Sequence, residues 1–306
     1  MVRTDEHAGV EFMAVDSGPG MADVAAAMRD GRSTAGTLGI GLGMIARLAD
    51  TFDLHSEPGH GTVMLARFWP YDARSRHRGS IFDLPESVTG GVTRPISGGQ
   101  ECGDGWAARG NEAGRAAPGH PLLGVVPHPG SGAPDRPVPG GGILVMLCDG
   151  RGHGPLAKTA SQTATRAFHA SRGRSPEEVM KDIHQALPGT RGAAVAVARI
   201  EPGQQRVLFC GVGDTAAAIV TSTSKTILPS VPGTAGHQIR TLRTFTEALP
   251  ARSALVMHSD GLTGQWDPAA LTGVLQHSAA VIAGHLLRSA GKYHDDASVV
   301  VAKGLW

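Results

Sequence analysis

GILVMLCDGRGHG, residues 142–154, decides how this chain is read. Residues 143–148 are apolar with no polar face at helical spacing, so the run reads as a buried strand. It stops at Asp149-Gly150, and Gly152 and Gly154 follow. A carboxylate is thereby left at the mouth of a sheet, beside backbone free enough to approach a ligand closely. Such a carboxylate calls for a cation or a hydrogen-bond network. The design recurs. ALVMHS (254–259) ends in Asp260-Gly261, Asp295-Asp296 leads straight into the apolar run 297–302, and Asp104 lies upstream.

The rest of the composition sets bounds. The chain has 306 residues, enough for one large or two modest domains. Hydrophobic residues make up 41% but aromatics only 4%, so the core must rest on Val, Leu, Ile, Ala and Met. A net charge of +1 with no basic face argues against nucleic acid as a partner. Cys102, Cys148 and Cys210 show no paired spacing, and the latter two sit in apolar runs as expected of buried thiols. No signal peptide and no bilayer-length apolar run is seen, so a reducing, cytoplasmic setting and no membrane partner are expected.

Residues 1–69 alternate strands with glycine-rich turns. VEFMAV (10–15) reads as a strand entering Asp16-Ser17-Gly18-Pro19-Gly20. Residues 22–29 read as a helix with Asp23 near its start. Residues 44–49 read as a second helix, with strands at 52–56 and 63–68. The boxes DSGPGM, LGIGLG and GHGT, in that order, resemble the nucleotide-binding boxes of the GHKL ATPases. DGRSTAGTLGIGLGMIARLAD is similar to the switch-kinase branch that phosphorylates small antagonist domains in bacterial stress signalling. By that resemblance Asp16 accepts from an adenine amino group, and Gly18 and Gly20 let the backbone pass the base. Gly39, Gly41 and Gly43 offer N–H groups to phosphates at a helix start, and Thr62 sits under the adenine. The resemblance covers the second half of such a domain only. The helix that supplies the family's magnesium-binding residues is missing, so kinase activity is not expected and ATP is at most a vestigial ligand. The half-domain should expose an apolar face, which makes homodimerisation an expectation.

Residues 70–91 read as a linker, with Arg74, Arg76, Arg78 and a small apolar patch at Ile81, Phe82 and Leu84. Residues 107–141 are dense in Gly, Pro and Ala and read as a flexible insertion between two strands.

Residues 92–306 form the second expected domain. Helices are expected at 155–170, 176–187, 268–275 and 279–289. Strands are expected at 192–200, 206–211, 216–221, 254–259 and 299–302. The pair 206–211 and 216–221 reads as a hairpin across Gly213-Asp214. Strands outnumber helices, so the expected class is α+β, antiparallel sheets flanked by helices. ECGDGW, LCDGRGHG, CGVGDTAAAIV, HSDGLT and HDDASVVV, in that order, resemble the PPM (PP2C-type) serine/threonine phosphatases of the SpoIIE-like bacterial branch. The resemblance implies a β-sandwich with helices on both outer faces and a pair of divalent ions at one edge. It makes Asp149 the bridge between two Mn2+ or Mg2+ ions, with the Gly150 carbonyl on one of them. Asp260 and Asp295 complete the first ion, and Asp104 serves the second or a weaker site. Asp149 and Asp260 carry the catalysis, and Asp296 orients rather than ligates. Oxygen-only ligation suits hard cations rather than zinc. Two ions about 3.5–4 Å apart can activate a water and clamp a phosphate without a covalent intermediate.

Bland readings apply to the remaining residues. Asp214 is read as holding a turn, and His153 as packing near the metal loop. His258 and His294 are not expected to bind zinc. Trp106 suits cleft or core equally, and Cys148 points away into the core by strand alternation. The expected activity is removal of phosphate from Ser or Thr of a small STAS-type antagonist in a sigma-factor partner-switching pathway. Two other readings are a docking module with a dead phosphatase fold and, were the missing helix supplied, a bifunctional kinase–phosphatase.

Overall fold

The computed structural model describes residues 2–3, 8–31, 39–70, 89–110 and 142–303. The expectations for most of the linker and for 111–141 lie outside them. Chain contacts divide the protein into two units, Met1–Glu86 and Ser87–Trp306.

Among its described residues the first unit is a four-stranded sheet with two short helices. Its strands are β1 (Val2–Arg3), β2 (Ala8–Asp16), β3 (Thr51–Glu57) and β4 (Gly61–Phe68), in the antiparallel order β1-β2-β4-β3. Asp23 caps α1 (Val24–Ala27) by accepting from the Ala26 N–H, a side chain satisfying an orphan helical donor. α2 (Gly41–Leu48) buries only Gly43 and Ala46. Val63, Leu65 and Ala66 of β4 are buried, yet Val10 and Phe12 of β2 and Met44 and Leu48 of α2 stand exposed. Exposed apolar side chains are thus present among the described residues of the first unit.

The second unit holds two five-stranded sheets. β6 (Asp104–Gly110), β7 (Ile143–Gly150), β8 (Ala193–Glu201), β9 (Arg206–Val212) and β14 (Phe245–Ala248) run in the order β14-β9-β8-β7-β6. β5 (Thr89–Arg94), β10 (Ala216–Val220), β11 (Lys225–Leu228), β15 (Ala254–His258) and β16 (Ala297–Lys303) run β11-β10-β15-β16-β5. A small hairpin joins β12 (Gly233–Thr234) to β13 (Gln238–Ile239). Alternation sorts each strand's side chains to two faces. Leu147, Ala196, Phe209, Ile219, Met257 and Val300 meet between the sheets. Leu144, Met146 and Cys148 point the other way, onto α3 (Pro155–Ala170) and α4 (Pro176–Ala186) through Phe168, Met180 and Ile183. α5 (Ala279–Ala290) covers the outer face of the second sheet with Ile282 and Leu286 against Val256 and Val301. The layers are therefore helix, sheet, sheet, helix, the expected sandwich.

Local signals explain the helices nearest the site. Pro155 at the first position of α3 starts a helix without needing its missing N–H. Ala157, Ala160, Ala164 and Phe168 then form its buried stripe. Ser175 and Glu178 close a reciprocal capping box on α4.

Four expectations need correcting. β9 and β10 are not a hairpin: they belong to different sheets, and Gly213-Asp214 is where the chain crosses between them. β5 begins at Thr89, inside the expected linker, because Gly90 and Gly91 pack where side chains would collide with α5 and with Trp106. β6 continues to Gly110, since Ala107 and Ala108 are small core residues facing β7 rather than the start of an excursion. The expected helix at 268–275 is a 3-10 turn at Pro268–Leu271 followed by further turns.

Candidate metal centre

The two sheets deliver five carboxylates to one edge. Asp104 starts β6 and Asp149 stands directly opposite it near the end of β7. Asp260 follows β15, and Asp295 and Asp296 precede β16, the strand paired with β15. Each lies where an apolar strand leaves or enters the core.

Their electrostatics describe one cluster. Burial pushes the Asp149 carboxyl up to about 9, and the charges of Asp104, Asp260 and Asp295 add to that. A side-chain hydrogen bond between Asp149 and Asp260 raises the first and lowers the second. Asp104 is pushed up to about 7, by burial first and then by Asp296, Asp260 and Asp295, against a hydrogen bond from Ser259. Asp260 is raised by burial and by Asp295, while Lys292 pulls it down. Carboxyls in this state ask for positive charge.

The donor set fits a hard divalent cation. Oδ2 of Asp104 is buried with no hydrogen-bond partner, in a side chain only 7% exposed. All the converging donors are oxygens, the ligands of magnesium and manganese. Among the described residues no group of three or more His, Cys, Asp or Glu side chains stands close enough together to hold a metal ion. They approach instead as pairs, the Asp104–Asp149 register and the Asp149–Asp260 hydrogen bond. Gly150 belongs beside them for a packing reason: a Cβ there would overlap the Ala157 carbonyl at the start of α3.

The neighbours divide into supports and bystanders. His258 is buried, its Nδ1 lies 2.9 Å from the Ser259 carbonyl, and its Nε2 accepts from the Trp266 indole at 3.4 Å. Both ring nitrogens are thus engaged, and burial lowers its pKa, so it is a neutral support and not a zinc ligand. His153 and His294 are exposed. Trp106 lies in the core between the sheets, not in a cleft. Cys148 is fully buried on the helix side, away from the cluster, and burial raises its thiol pKa well above the ordinary value.

Sequence reasoning missed two residues. Asp214, read as a turn residue, is exposed at the sheet crossing and is close enough to Asp260 to raise its pKa. Lys292 Nζ donates to the Asp260 carbonyl at 2.6 Å and places a cation beside the cluster. Its position three residues before Asp295 was the available signal.

In the first unit the structure brings together part of the nucleotide-type set. Asp16 and Thr62 are direct partners across β2 and β4, and Asp16 Oδ1 accepts the Gly18 N–H at 2.7 Å. Thr62 Oγ1 is 2.9 Å from Ser56 Oγ, which in turn accepts the Met21 N–H. Gly20 approaches the Glu57 carbonyl. Gly41 and Gly43 occupy the first turn of α2, with Gly39 just ahead.

Comparison with known proteins agrees with the fold of the second unit. The family model described as Stage II sporulation protein E (SpoIIE) matches residues 139–304. A structure described under "The bacterial stressosome: a modular system that has been adapted to control secondary messenger signaling" superposes with a TM-score of 0.56 at 24% identity. It covers 70% of this chain and 98% of that one. RsbX in complex with magnesium superposes at 0.54 and 17% identity, covering 70% and 92%. The PP2C phosphatase domain of SpoIIE from Bacillus subtilis, with a fragment of its regulatory domain, gives 0.50 and 17%, covering 79% and 67%. These likenesses establish the fold. The chain is also 46% identical over 61 residues to the serine/threonine-protein kinase RsbT of Bacillus subtilis (strain 168). That stretch is 20% of this chain and 46% of RsbT, so the chain spans under half the length of that curated relative. Among the described residues no helix is long and apolar enough to cross a membrane. The chain belongs to the SpoIIE family of PPM-type serine/threonine phosphatases, with a segment similar to part of a switch kinase joined to it.

Proposed function

We propose that the second unit is a divalent-cation-dependent phosphatase that removes phosphate from Ser or Thr of a small STAS-type antagonist in a stress or sigma-factor partner-switching pathway. The observation that carries the site is the convergence of Asp104, Asp149, Asp260 and Asp295 at one sandwich edge. There burial and mutual charge raise Asp104 and Asp149 above the usual carboxylate range, and one buried oxygen of Asp104 has no partner. The substrate assignment rests on the segment similar to part of RsbT, because a kinase-like segment joined to a phosphatase suits a phosphatase that acts on the same phosphorylation site as such a kinase. The three unpaired cysteines suit the cytoplasm, where such a pathway operates. Self-association through the exposed face of the first unit completes the reading.

Each residue has a distinct task. Asp149 stands between Asp104, its partner across the ladder, and Asp260, its hydrogen-bond partner, which suits it to serve two ions at once. Asp260 and Asp295 hold one side of the cluster, and Asp104 holds the other. The Gly150 carbonyl adds a neutral oxygen beside Asp149. Bound Mn2+ or Mg2+ supplies Lewis acidity for water activation and neutralises phosphoryl charge. The acidic side chains must surrender their protons on loading, so cation binding releases protons. In the first unit the nucleotide-type boxes are vestigial on this reading, since the Asp16 carboxylate is taken up by its own loop amide.

The test is phosphate release from a phosphorylated antagonist domain, with and without MnCl2, by wild type, Asp149→Asn and Asp260→Asn. Metal-dependent release lost in both variants is expected. Full activity in both variants would sink the proposal.

A further inference from the structure

Asp296 is among the most buried charged residues of the second unit, 2% exposed, and its carboxylate is fully employed. Oδ1 accepts the Ile96 N–H at 2.7 Å, and Oδ2 accepts the Gly103 N–H at 2.8 Å. One side chain at the start of β16 thus closes both ends of the connection between β5 and β6. Gly103 immediately precedes Asp104, so the second bond fixes where Asp104 enters the cluster.

The connections continue from there. The Gly103 carbonyl accepts the Gly150 N–H at 3.1 Å, which ties the same point to the residue after Asp149. On its other side, the Asp296 backbone lies against the residue after Asp260. A Cβ on Gly261 would overlap the Asp296 carbonyl oxygen, so only glycine permits that approach. The Asp296 N–H donates to Asp295 Oδ1 at 2.9 Å. Asp295 is therefore joined to Asp296 directly, Asp104 and Asp260 through one residue each, and Asp149 through two, Gly150 and Gly103.

We propose that Asp296 is a positioning residue: it sets the spacing of the four strand ends before any ion arrives, and thereby the affinity of the centre for divalent cations. It does so without contributing an oxygen to the ions, because both of its oxygens are committed to backbone N–H groups. Supporting groups behind metal ligands typically contribute about 10–100-fold in affinity, since a ligand left unheld must be ordered by the ion itself. This inference rests on the metal reading of the cluster.

The experiment titrates Mn2+ into the full chain by isothermal titration calorimetry, using wild type, Asp296→Ala, Asp296→Asn and, as the ligand-loss control, Asp295→Asn. Amide hydrogen exchange at Ile96 and Gly103 is followed in EDTA as a readout that needs no metal. Asp296→Ala should bind the same number of ions about tenfold or more weakly, with faster exchange at both amides. Asp296→Asn keeps one accepting oxygen and should fall between, and it serves alone if the alanine variant does not fold. Asp295→Asn should lose an ion from the stoichiometry. Asp296 variants that lose an ion as Asp295→Asn does would overturn the inference, making Asp296 a ligand. So would Mn2+ affinity within twofold of wild type, or unchanged exchange at Ile96 and Gly103. A wild type that binds no Mn2+ overturns the metal reading itself, and this inference with it.

Discussion

The two units treat the same kind of strand differently. In the second, apolar runs such as 143–148 are closed on both faces, by the opposing sheet and by α3 and α4. In the first, β2 carries Val10 and Phe12 at 60% and 52% exposure, and α2 leaves Met44 and Leu48 in the open. The functional groups follow suit. Burial raises Asp104 and Asp149 well above the usual carboxylate range, whereas Asp16 is exposed and bound to its own loop. A glycine-rich box with the right spacing thus has different chemistry according to whether its sheet is covered. Burial, more than the motif itself, is what turns a strand-end aspartate into a strongly perturbed group.

The largest break in that comparison should come from core truncation. Phe168 is fully buried under the first sheet, so Phe168→Ala should cost about 3–5 kcal/mol in denaturant unfolding of the second unit. Phe12→Ala, on the open face of the first unit, should cost less than about 0.5 kcal/mol and reduce self-association in sedimentation. Comparable losses from the two substitutions would show that the faces are equally covered.

A second effect should separate the units by pH. Asp149 and Asp104 keep their protons in the folded chain to about pH 9 and about pH 7. Ordinary carboxyls release theirs near pH 4, at roughly 3.9 for Asp. A carboxyl whose folded pKa is raised lends stability that is complete below its unfolded pKa and is lost as pH rises through the folded one. In EDTA, therefore, the second unit should melt at a lower temperature at pH 9 than at pH 5. Added Mn2+ should stabilise it most at the alkaline end, where protons no longer compete. A melting temperature in EDTA that climbs from pH 5 to pH 9 would contradict this.

The smallest effect sharpens the comparison locally. Ser175→Ala removes half of the capping box on α4 and should cost about 1 kcal/mol, read as a shift in urea midpoint at constant slope. A shift within error would mean that packing of Met180 and Ile183 alone starts that helix.

Much of this was legible in the chain itself. Asp149, Asp260 and Asp295 each end or begin an apolar run, and a carboxylate at such a boundary announces a sheet edge. Ser175-Pro176 with Glu178 announced α4 just as directly. What stayed hidden depended on partners distant in sequence. A run such as 206–212 looks the same whether it pairs with the next strand or with another, so the crossing at Gly213-Asp214 passed for a hairpin. β11 and β14 are largely exposed and carry little apolar pattern. The small residues of β5 and β6 passed for linker and excursion, although close packing is what they serve. The reach of Asp296 to Ile96 and Gly103, about 200 and 193 residues away, leaves no local trace.

The most direct test of the central claim is hydrolysis of para-nitrophenyl phosphate by the full chain with and without MnCl2, compared with Asp149→Asn. Losing the residue between the two sides of the cluster should remove several kcal/mol of transition-state stabilisation, about a thousandfold in rate. Turnover that requires Mn2+ and disappears in Asp149→Asn is the predicted result. Turnover indifferent to Mn2+, or equal in both proteins, would contradict the account.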